Sequence, residues 1–168
     1  MDAGAKIRGM LAIAAMAAGV VLYVIDRPVP HVYLLPSVIA FAGSPGTIPG
    51  AISASLPSFV HVYAFSLLTA AVAGSRSTRS GALIAGAWCA IDVLFELGQH
   101  TAFAPHISGA MPAWFGDVPL LENIGPYFLR GTFDPADLVA TVAGAIVAYL
   151  SIVRFPARRE CRECQSQS

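Results

Sequence analysis

Two acidic residues, Asp92 and Glu96, lie four positions apart near the end of a long apolar segment of the chain. Residues with this spacing share one face of a helix. Burying a carboxylate among apolar residues is costly, so acids in such a segment are candidates for proton transfer or cation binding. Gln99 and His100 continue the same face one turn further along, and we expect them to add binding groups beside the two acids.

A second polar group opens the last apolar segment. Asp134 precedes Pro135, which predicts a helix with Asp134 as its N-cap and Pro135 at its first position. Asp137 falls three residues after the N-cap, where a capping-box acid is found. Capping explains Asp134 fully and Asp137 less completely. The Asp137 side chain is also placed to point into a helix bundle, with Thr141 one turn below it.

Polar residues from three predicted helices are expected to meet at one end of the bundle. His61 lies in the first turns of one helix, and Arg130 lies in the loop before the last one. The alternative is a purely structural set of interhelical hydrogen bonds, with a salt bridge from Arg130 to Glu96 or Asp137. The candidate catalytic residues are Glu96, Asp92 and Asp137, and the candidate binding residues are His61, Gln99, His100, Arg130, Asp134 and Thr141.

Metal binding is a weaker alternative for the same residues. Glu96 and His100 are spaced to share a metal ion, with His61 or Asp92 completing the shell. However, the chain has only four histidines and no HExxH motif. We therefore predict neither a metal nor another cofactor.

The composition indicates which elements position these residues. Hydrophobic residues make up 56% of the 168 residues and charged residues 12%, about half the charged share of a typical soluble domain. The zero net charge argues against nucleic acid as a partner. A bilayer-spanning helix needs about 17–25 mostly apolar residues, and four stretches qualify, at about residues 9–25, 57–73, 82–98 and 135–153. We predict an all-α integral membrane four-helix bundle that forms one domain over residues 1–156.

Basic residues predict the orientation of the bundle, because they are enriched on the cytoplasmic side of membrane proteins. With both ends inside, eight of the ten Lys and Arg residues are cytoplasmic, and only Arg27 and Arg130 are outside. The eight are Lys6, Arg8, Arg76, Arg79, Arg154, Arg158, Arg159 and Arg162. The candidate site residues then lie in the outer half of the bundle.

Three further segments carry expectations of their own. A cleaved signal peptide is the alternative for the first stretch, but the apolar run continues as far as Ile25. The segment Val32–Ala42 is too short to span, so we expect it to be interfacial or re-entrant. The basic tail, 157–168, is expected to be cytoplasmic and disordered. Its Cys161 and Cys164 form a single CxxC pair, whereas a structural zinc site usually needs four ligands.

The connection between the third and fourth spans, about residues 99–134, is long and rich in aromatic residues and proline. We expect it to lie on the outer membrane surface or to fold over the outer mouth of the bundle, because Trp and Tyr favour the interface. Loops of this length often serve as functional lids. A passive interfacial anchor is the alternative.

Small residues predict where the helices pack. They recur every four positions in two of the spans, which lets helix backbones approach closely within a membrane. We expect these stripes to be packing faces, either within the bundle or between copies of the chain. They consist of Ala136, Ala140, Gly144 and Ala148 in the last span and of Ala82, Gly86 and Ala90 in the third.

Several of these residues form a pattern found in a known family. One span closes on Phe95-Glu96-Leu97-Gly98-Gln99, and the last opens on Phe133-Asp134 and the residues 137–145. Over about residues 60–150 the chain resembles the VanZ-like family of small bacterial membrane proteins. The matches are Glu96, Gln99, Asp134, Asp137 and Gly144, and the departures are Phe95, Thr141 and Ala148. The resemblance implies a multi-pass protein of the bacterial inner membrane with a role in the cell envelope, where the family is associated with glycopeptide (teicoplanin) resistance.

Three functions are compatible with these features. In the first, an outer-leaflet site binds or modifies a lipid-linked or cell-wall-related molecule, with Glu96 or Asp92 as general base or cation partner. In the second, the chain forms an oligomeric transporter or proton-coupled channel. In the third, it is a non-catalytic scaffold or assembly factor. The expected partners are the lipid bilayer, an envelope lipid or cell-wall precursor, and further copies of the chain through the small-residue faces.

Overall fold

A computed structural model describes residues 3–26, 50–75, 77–119 and 121–155 of the chain. Throughout these residues the regular structure is helical, which confirms the all-α prediction. Two short 3-10 helices, Ala113–Asp117 and Leu121–Asn123, lie between the fourth and fifth α-helices. The six α-helices are α1 (Ala3–Asp26), α2 (Gly50–Val72), α3 (Thr78–Gly98), α4 (Ala104–Gly109), α5 (Ile124–Arg130) and α6 (Pro135–Arg154).

Four of these helices are long and apolar enough to cross a membrane. The qualifying stretches are Ala3–Leu22, Ser55–Val72, Thr78–Gly98 and Pro135–Arg154. They confirm the four predicted spans and indicate an integral membrane protein. The second helix differs most from its predicted bounds, because α2 begins at Gly50 and contains Pro57. Proline is tolerated inside membrane-spanning helices, so Pro57 does not mark the start of α2.

Other expectations stay predictions. The orientation of the bundle in a membrane is one of them, and the cleaved signal peptide is another. The segment Val32–Ala42 and the tail 157–168, with Cys161 and Cys164, lie outside the described residues.

Contacts near the helix ends give the direction of each helix. The Arg8 guanidinium of α1 donates a hydrogen bond of 2.9 Å to the Ser75 carbonyl, just after α2. Gly81, in the first turn of α3, lies against Ile152 in the last turn of α6. The start of α1, the α2–α3 turn and the end of α6 therefore lie at one end of the bundle, which we call the turn end. The other end, where α4 and α5 connect α3 to α6, is the loop end.

Helix α2 is the centre of the bundle, because it packs against α1, α3 and α6. Its Val62, Ala64, Leu67 and Ala70 are fully buried. Small side chains on a surrounded helix allow its neighbours to approach closely. The core cluster accordingly joins α2 to α1 and α6 through Ala12, Ala64, Leu67, Ala70 and Ile152.

The two small-residue stripes behave differently. On α6, Gly144 and Ala148 are buried, and Gly144 lies directly against the α2 backbone at Phe59. The predicted packing face of α6 is therefore confirmed at Gly144 and Ala148, whereas Ala140 is half-buried and Ala136 is exposed. On α3 the small residues buried in the bundle include Gly81 and Ala85 instead, so the predicted stripe does not pack within the bundle and its packing between copies stays a prediction. The predicted α3 residues Ala82, Gly86 and Ala90 are exposed.

The close approach at Gly144 predicts opposite effects for two Gly→Ala substitutions. A Cβ at position 144 would lie 2.6 Å from the Phe59 carbonyl oxygen, whereas a Cβ at Gly86 would have nothing within 4 Å. Overpacking typically costs about 1–3 kcal/mol, while Gly→Ala in an unobstructed helix gains roughly 1 kcal/mol of helix propensity. We expect Gly144→Ala to lower the melting temperature of the detergent-solubilised protein and Gly86→Ala to leave it unchanged or raise it. Equal effects of the two substitutions would contradict this packing.

Candidate functional site

The polar residues of the loop end come from the first half of α2, the last turns of α3 and the first turn of α6. Asp134 is the N-cap of α6, as predicted, and its carboxylate accepts a hydrogen bond of 2.9 Å from the Ala136 N–H. Pro135 occupies the first helical position, where its missing N–H costs nothing. This cap sets the start of α6 beside the end of α3.

His61 of α2 and Asp92 of α3 form a hydrogen-bonded pair, which we call the His–Asp pair. The His61 Nδ1 lies 2.6 Å from the Asp92 Oδ1, and the two side chains are 44% and 12% exposed, respectively. An ionised carboxylate can only accept hydrogen bonds, so with an ionised Asp92 the donor is His61 Nδ1–H, and in the neutral imidazole Nε2 is then an acceptor. Asp92 thus orients an imidazole that remains open to its surroundings.

Two aromatic rings pack against the His61 imidazole on the side that faces the turn end. Its ring meets Phe65 edge-on at a centroid distance of 4.5 Å and Trp88 at 5.9 Å. The Trp88 indole N–H donates a hydrogen bond of 3.0 Å to the Thr69 hydroxyl, which satisfies the polar atom of the indole. The His–Asp pair therefore packs against two aromatic side chains, Phe65 of α2 and Trp88 of α3.

Glu96 has a different role from Asp92, although the two share one face of α3. The Glu96 side chain is buried, with 7% of the residue exposed. Its Oε1 accepts a hydrogen bond of 2.7 Å from the Asp134 N–H. In a capping box this N-cap N–H is taken by an acid of the same helix, and Asp137 was the predicted one. Here the acid comes from α3, so Glu96 clasps the start of α6 onto the end of α3.

The remaining predicted residues of α6 lie beside this clasp. Asp137 is half-buried in the first turn of α6, and Thr141 is buried one turn below it. The carboxyl groups of Asp92, Asp134 and Asp137 are all close enough to interact electrostatically with Glu96. Glu96 and three other carboxyl groups therefore lie close together at the loop end.

The connection between α3 and α6 folds back over the end of α3. The Gln99 amide donates a hydrogen bond of 2.9 Å to the Tyr127 hydroxyl of α5. Phe128 is buried and its ring lies directly over Gly98, which leaves no room for a side chain there. Burial raises the pKa of the Tyr127 phenol, and the nearby Glu96 carboxyl group adds to the shift. Tyr127 is therefore a neutral hydroxyl that accepts from Gln99 and keeps its own proton.

The predicted place of His100 is wrong. Helix α3 ends at Gly98, so the helical face that carries Asp92 and Glu96 does not reach His100. The His100 Nδ1 instead accepts a hydrogen bond of 3.2 Å from the Ala102 N–H. Its ring packs against Phe133 at a centroid distance of 5.4 Å.

Within the described part of the chain, no three His, Cys, Asp or Glu side chains are grouped closely enough to hold a metal ion.

The predicted salt bridge of Arg130 is also absent. Arg130 is exposed at the end of α5, and among the described residues it pairs with neither Glu96 nor Asp137. The physical reason is that Glu96 is buried and already accepts the Asp134 N–H. The only ion pair found in residues 3–26, 50–75, 77–119 and 121–155 is the His–Asp pair.

Sequence reasoning missed several partners of the candidate residues. Tyr127 is one of the aromatic residues of the connection between the third and fourth spans, and its pairing with Gln99 spans 28 positions. The contact of Trp88 with Thr69 and with His61 was not anticipated. No local signal connects these residues, because each pair joins two different elements. The one local signal is the spacing of His61, Phe65 and Thr69, which follow one another at intervals of four residues and therefore share a face of α2.

No protein-family model, curated protein or solved structure matches this chain. The VanZ-like resemblance therefore rests on the motif residues alone and stays a prediction. Of the motif residues, Glu96 and Asp134 are hydrogen-bonded to each other, Gln99 contacts the connection and Gly144 packs against α2.

The Glu96 clasp predicts that the carboxyl group of Glu96 is needed for stability. Glu96→Leu would leave the Asp134 N–H without its acceptor, and an unsatisfied buried donor costs about 1–3 kcal/mol. Glu96→Gln keeps an acceptor oxygen, so we expect a smaller loss. The melting temperature of the solubilised protein measures both, with Glu122→Leu as the control at an exposed acid. If Glu96→Leu melts like the control, the clasp does not stabilise the fold.

Proposed function

We propose that this chain is a VanZ-like integral membrane protein of the bacterial cell envelope, in the inner membrane, with both ends in the cytoplasm. Its loop end faces outward and binds or modifies a lipid-linked or cell-wall-related molecule. The observation that carries this proposal is the His–Asp pair, an exposed imidazole oriented by a nearly covered carboxylate. The motif residues Glu96, Gln99, Asp134 and Asp137, all at the same end, support the family assignment.

The chemistry of the His–Asp pair suits a proton acceptor. In a neutral His61, Nε2 takes a proton from a hydroxyl or amine of the ligand, and Asp92 stabilises the imidazolium that forms. The same arrangement binds a hydrogen-bond donor without further reaction. Glu96, the alternative to Asp92 as general base, accepts the Asp134 N–H through its Oε1 and is assigned to positioning α6.

The proposed orientation follows from the two ends of the bundle. Lys6, Arg8, Arg79 and Arg154 belong to helix ends that meet at the turn end. The four carboxyl groups lie at the loop end. Since basic residues are enriched on the cytoplasmic side, the turn end is inside and the His–Asp pair is reached from the outer leaflet.

This proposal predicts that the His–Asp pair is required in cells. A strain lacking the chain would be complemented with His61→Gln, Asp92→Asn or the wild type, and its sensitivity to a glycopeptide and to detergent would be measured. We expect both variants to fail although their membrane levels match the wild type, because each removes the oriented acceptor. His106→Gln, at an exposed histidine of α4, is the matched control and should complement fully. Full complementation by both site variants would refute the assignment of the pair.

A scaffold is the second candidate function, and the exposed small-residue face of α3 favours it. Ala82, Gly86 and Ala90 lie on this face, and a Cβ at Gly86 would meet nothing within 4 Å. Such a face allows another helix to approach closely.

The scaffold candidate predicts crosslinking through α3 and not through α6. In membranes, a cysteine at Gly86 should crosslink to a second copy or another helix, in a Cys89→Ala, Cys161→Ser, Cys164→Ser background. A cysteine at Ala148, which is fully buried in the bundle, is the control and should give no intermolecular product. Absence of any product at Ala82, Gly86 and Ala90 would count against a partner helix on this face.

A further inference from the structure

The Tyr127 hydroxyl of the connection is held in place by its neighbours. The Gln99 amide donates a hydrogen bond of 2.9 Å to it. That amide is itself confined, because a Cβ at Gly131 would collide with the Gln99 Oε1. The Tyr127 ring packs edge-on against Phe95 at a centroid distance of 6.3 Å and against the buried Phe128 at 5.3 Å. The phenol is therefore positioned, although Tyr127 is 48% exposed.

The Tyr127 hydroxyl also retains a proton that it can donate. Its oxygen accepts from the Gln99 amide, and burial keeps the phenol neutral because it raises the pKa of Tyr127. Among the residues that the structure describes, none accepts the Tyr127 O–H. A ligand that carries an acceptor can therefore complete the hydrogen bonding of this group.

The positioned hydroxyl lies on the face of α3 that carries the His–Asp pair. Asp92, Phe95 and Gln99 follow one another at intervals of three and four. Gln99 keeps helical backbone angles as the C-cap of α3, so the three side chains share one face. From Asp92 to Gln99 there are seven residues, which is roughly 10 Å along the helix axis. The Asp92 carboxyl group is accordingly close enough to act electrostatically on the Tyr127 phenol.

The His–Asp pair and Tyr127 differ in their depth along the bundle. His61 and Asp92 belong to stretches that are long and apolar enough to cross a membrane. Tyr127 belongs to α5, in the connection beyond the end of α3. In the proposed orientation, a ligand that contacts both therefore lies between the outer hydrocarbon region and the interface, which is where lipid headgroups begin.

The hydrogen-bonding groups select the kind of headgroup. With an ionised Asp92 and a neutral imidazole, the His61 Nε2 accepts, whereas Tyr127 donates. An ammonium group has only donors, and a phosphate dianion has only acceptors, so neither serves both side chains. Three carboxyl groups, one of them that of Asp92, act on the Tyr127 phenol and disfavour an anion there. Hydroxyl groups donate and accept without carrying a charge.

We propose that Tyr127, positioned by Gln99, donates a hydrogen bond to the ligand of the His–Asp pair, and that this ligand is the uncharged, hydroxyl-rich headgroup of a membrane lipid. One headgroup hydroxyl donates to the His61 Nε2, and a second headgroup oxygen accepts the Tyr127 O–H. The inference rests on the site of the proposed function and names its ligand class. Binding involves no covalent step.

Native mass spectrometry of the full chain in a polyoxyethylene detergent tests this ligand class. Three lipids with the same acyl chains would be titrated: hexosyl-diacylglycerol, diacylglycerol and phosphatidylglycerol. The first carries a sugar with several hydroxyls, the second has a single hydroxyl, and the third has hydroxyls together with a negative charge. We expect the hexosyl lipid to bind about tenfold more tightly than either of the others, as the net gain from new hydrogen bonds allows.

Variants of the same chain test the role of Tyr127. Tyr127→Phe loses only the O–H, so the hexosyl lipid should bind about fivefold more weakly and diacylglycerol nearly as before. Gln99→Leu keeps the O–H without its orienting partner and should lose less, whereas His61→Phe should lose at least as much as Tyr127→Phe. Tyr149→Phe is the matched control, because its phenol lies near Gly81 at the turn end, and it should retain the full preference.

The opposite results overturn the inference. Equal binding of the hexosyl lipid and diacylglycerol to the wild type would exclude the hydroxyl-rich headgroup, and strongest binding of phosphatidylglycerol would show an anion site. Equal losses for all three lipids in Tyr127→Phe would show that the hydroxyl only holds the connection in place. If Tyr127→Phe is not recovered folded, an unchanged preference in both Gln99→Leu and His61→Phe overturns the inference.

Failure of this inference and failure of the proposed function are distinguishable. If the preference for the hexosyl lipid is absent while His61→Gln still fails to complement in cells, the ligand class is wrong and the proposed function stands. If the preference is present and depends on Tyr127 while His61→Gln and Asp92→Asn both complement, the proposed function fails alone.

Discussion

The hydrogen bond from the Asp134 N–H to the buried Glu96 carboxyl group is the interaction on which the loop end depends. It ties the N-cap residue of α6 to the last turn of α3 across the connection that contains α4 and α5. With Asp134 also capping α6 through Ala136, two backbone donors at the helix start are satisfied, one from each side. The positions of Asp137 and Thr141 follow from where this bond places α6.

The two acids of α3 illustrate how burial and partners separate roles that look equivalent. Asp92 and Glu96 are one helical turn apart, about 6 Å along the axis. Glu96 meets the start of α6 and is enclosed, so its carboxyl group serves the architecture. Asp92 meets His61 of α2, and this pair retains an exposed imidazole. The difference arises because α3 packs against both α2 and α6: Asp92 lies beside α2, and Glu96 lies beside the start of α6.

Much of the fold could be predicted from local patterns. Hydrophobic length predicted the four spans, and the Asp134-Pro135 pair predicted the start of α6, because both signals depend on neighbouring residues. The role of Gly144 was predictable from its stripe. The stripe on α3 was not, because α3 is apolar on nearly all sides and the sequence does not indicate which side meets the protein and which meets lipid.

The sequence by itself determined that four helices are long and apolar enough to cross a membrane and that their polar residues concentrate toward one end. Composition and spacing suffice for this, since a bilayer admits few backbone structures and penalises every buried charge. Only the tertiary structure decided which polar residues meet: His61 with Asp92, Glu96 with the Asp134 N–H, and neither His100 nor Arg130 with the acids. Such pairings depend on helix rotation and on where α3 ends, and these are set by packing between segments far apart in the chain.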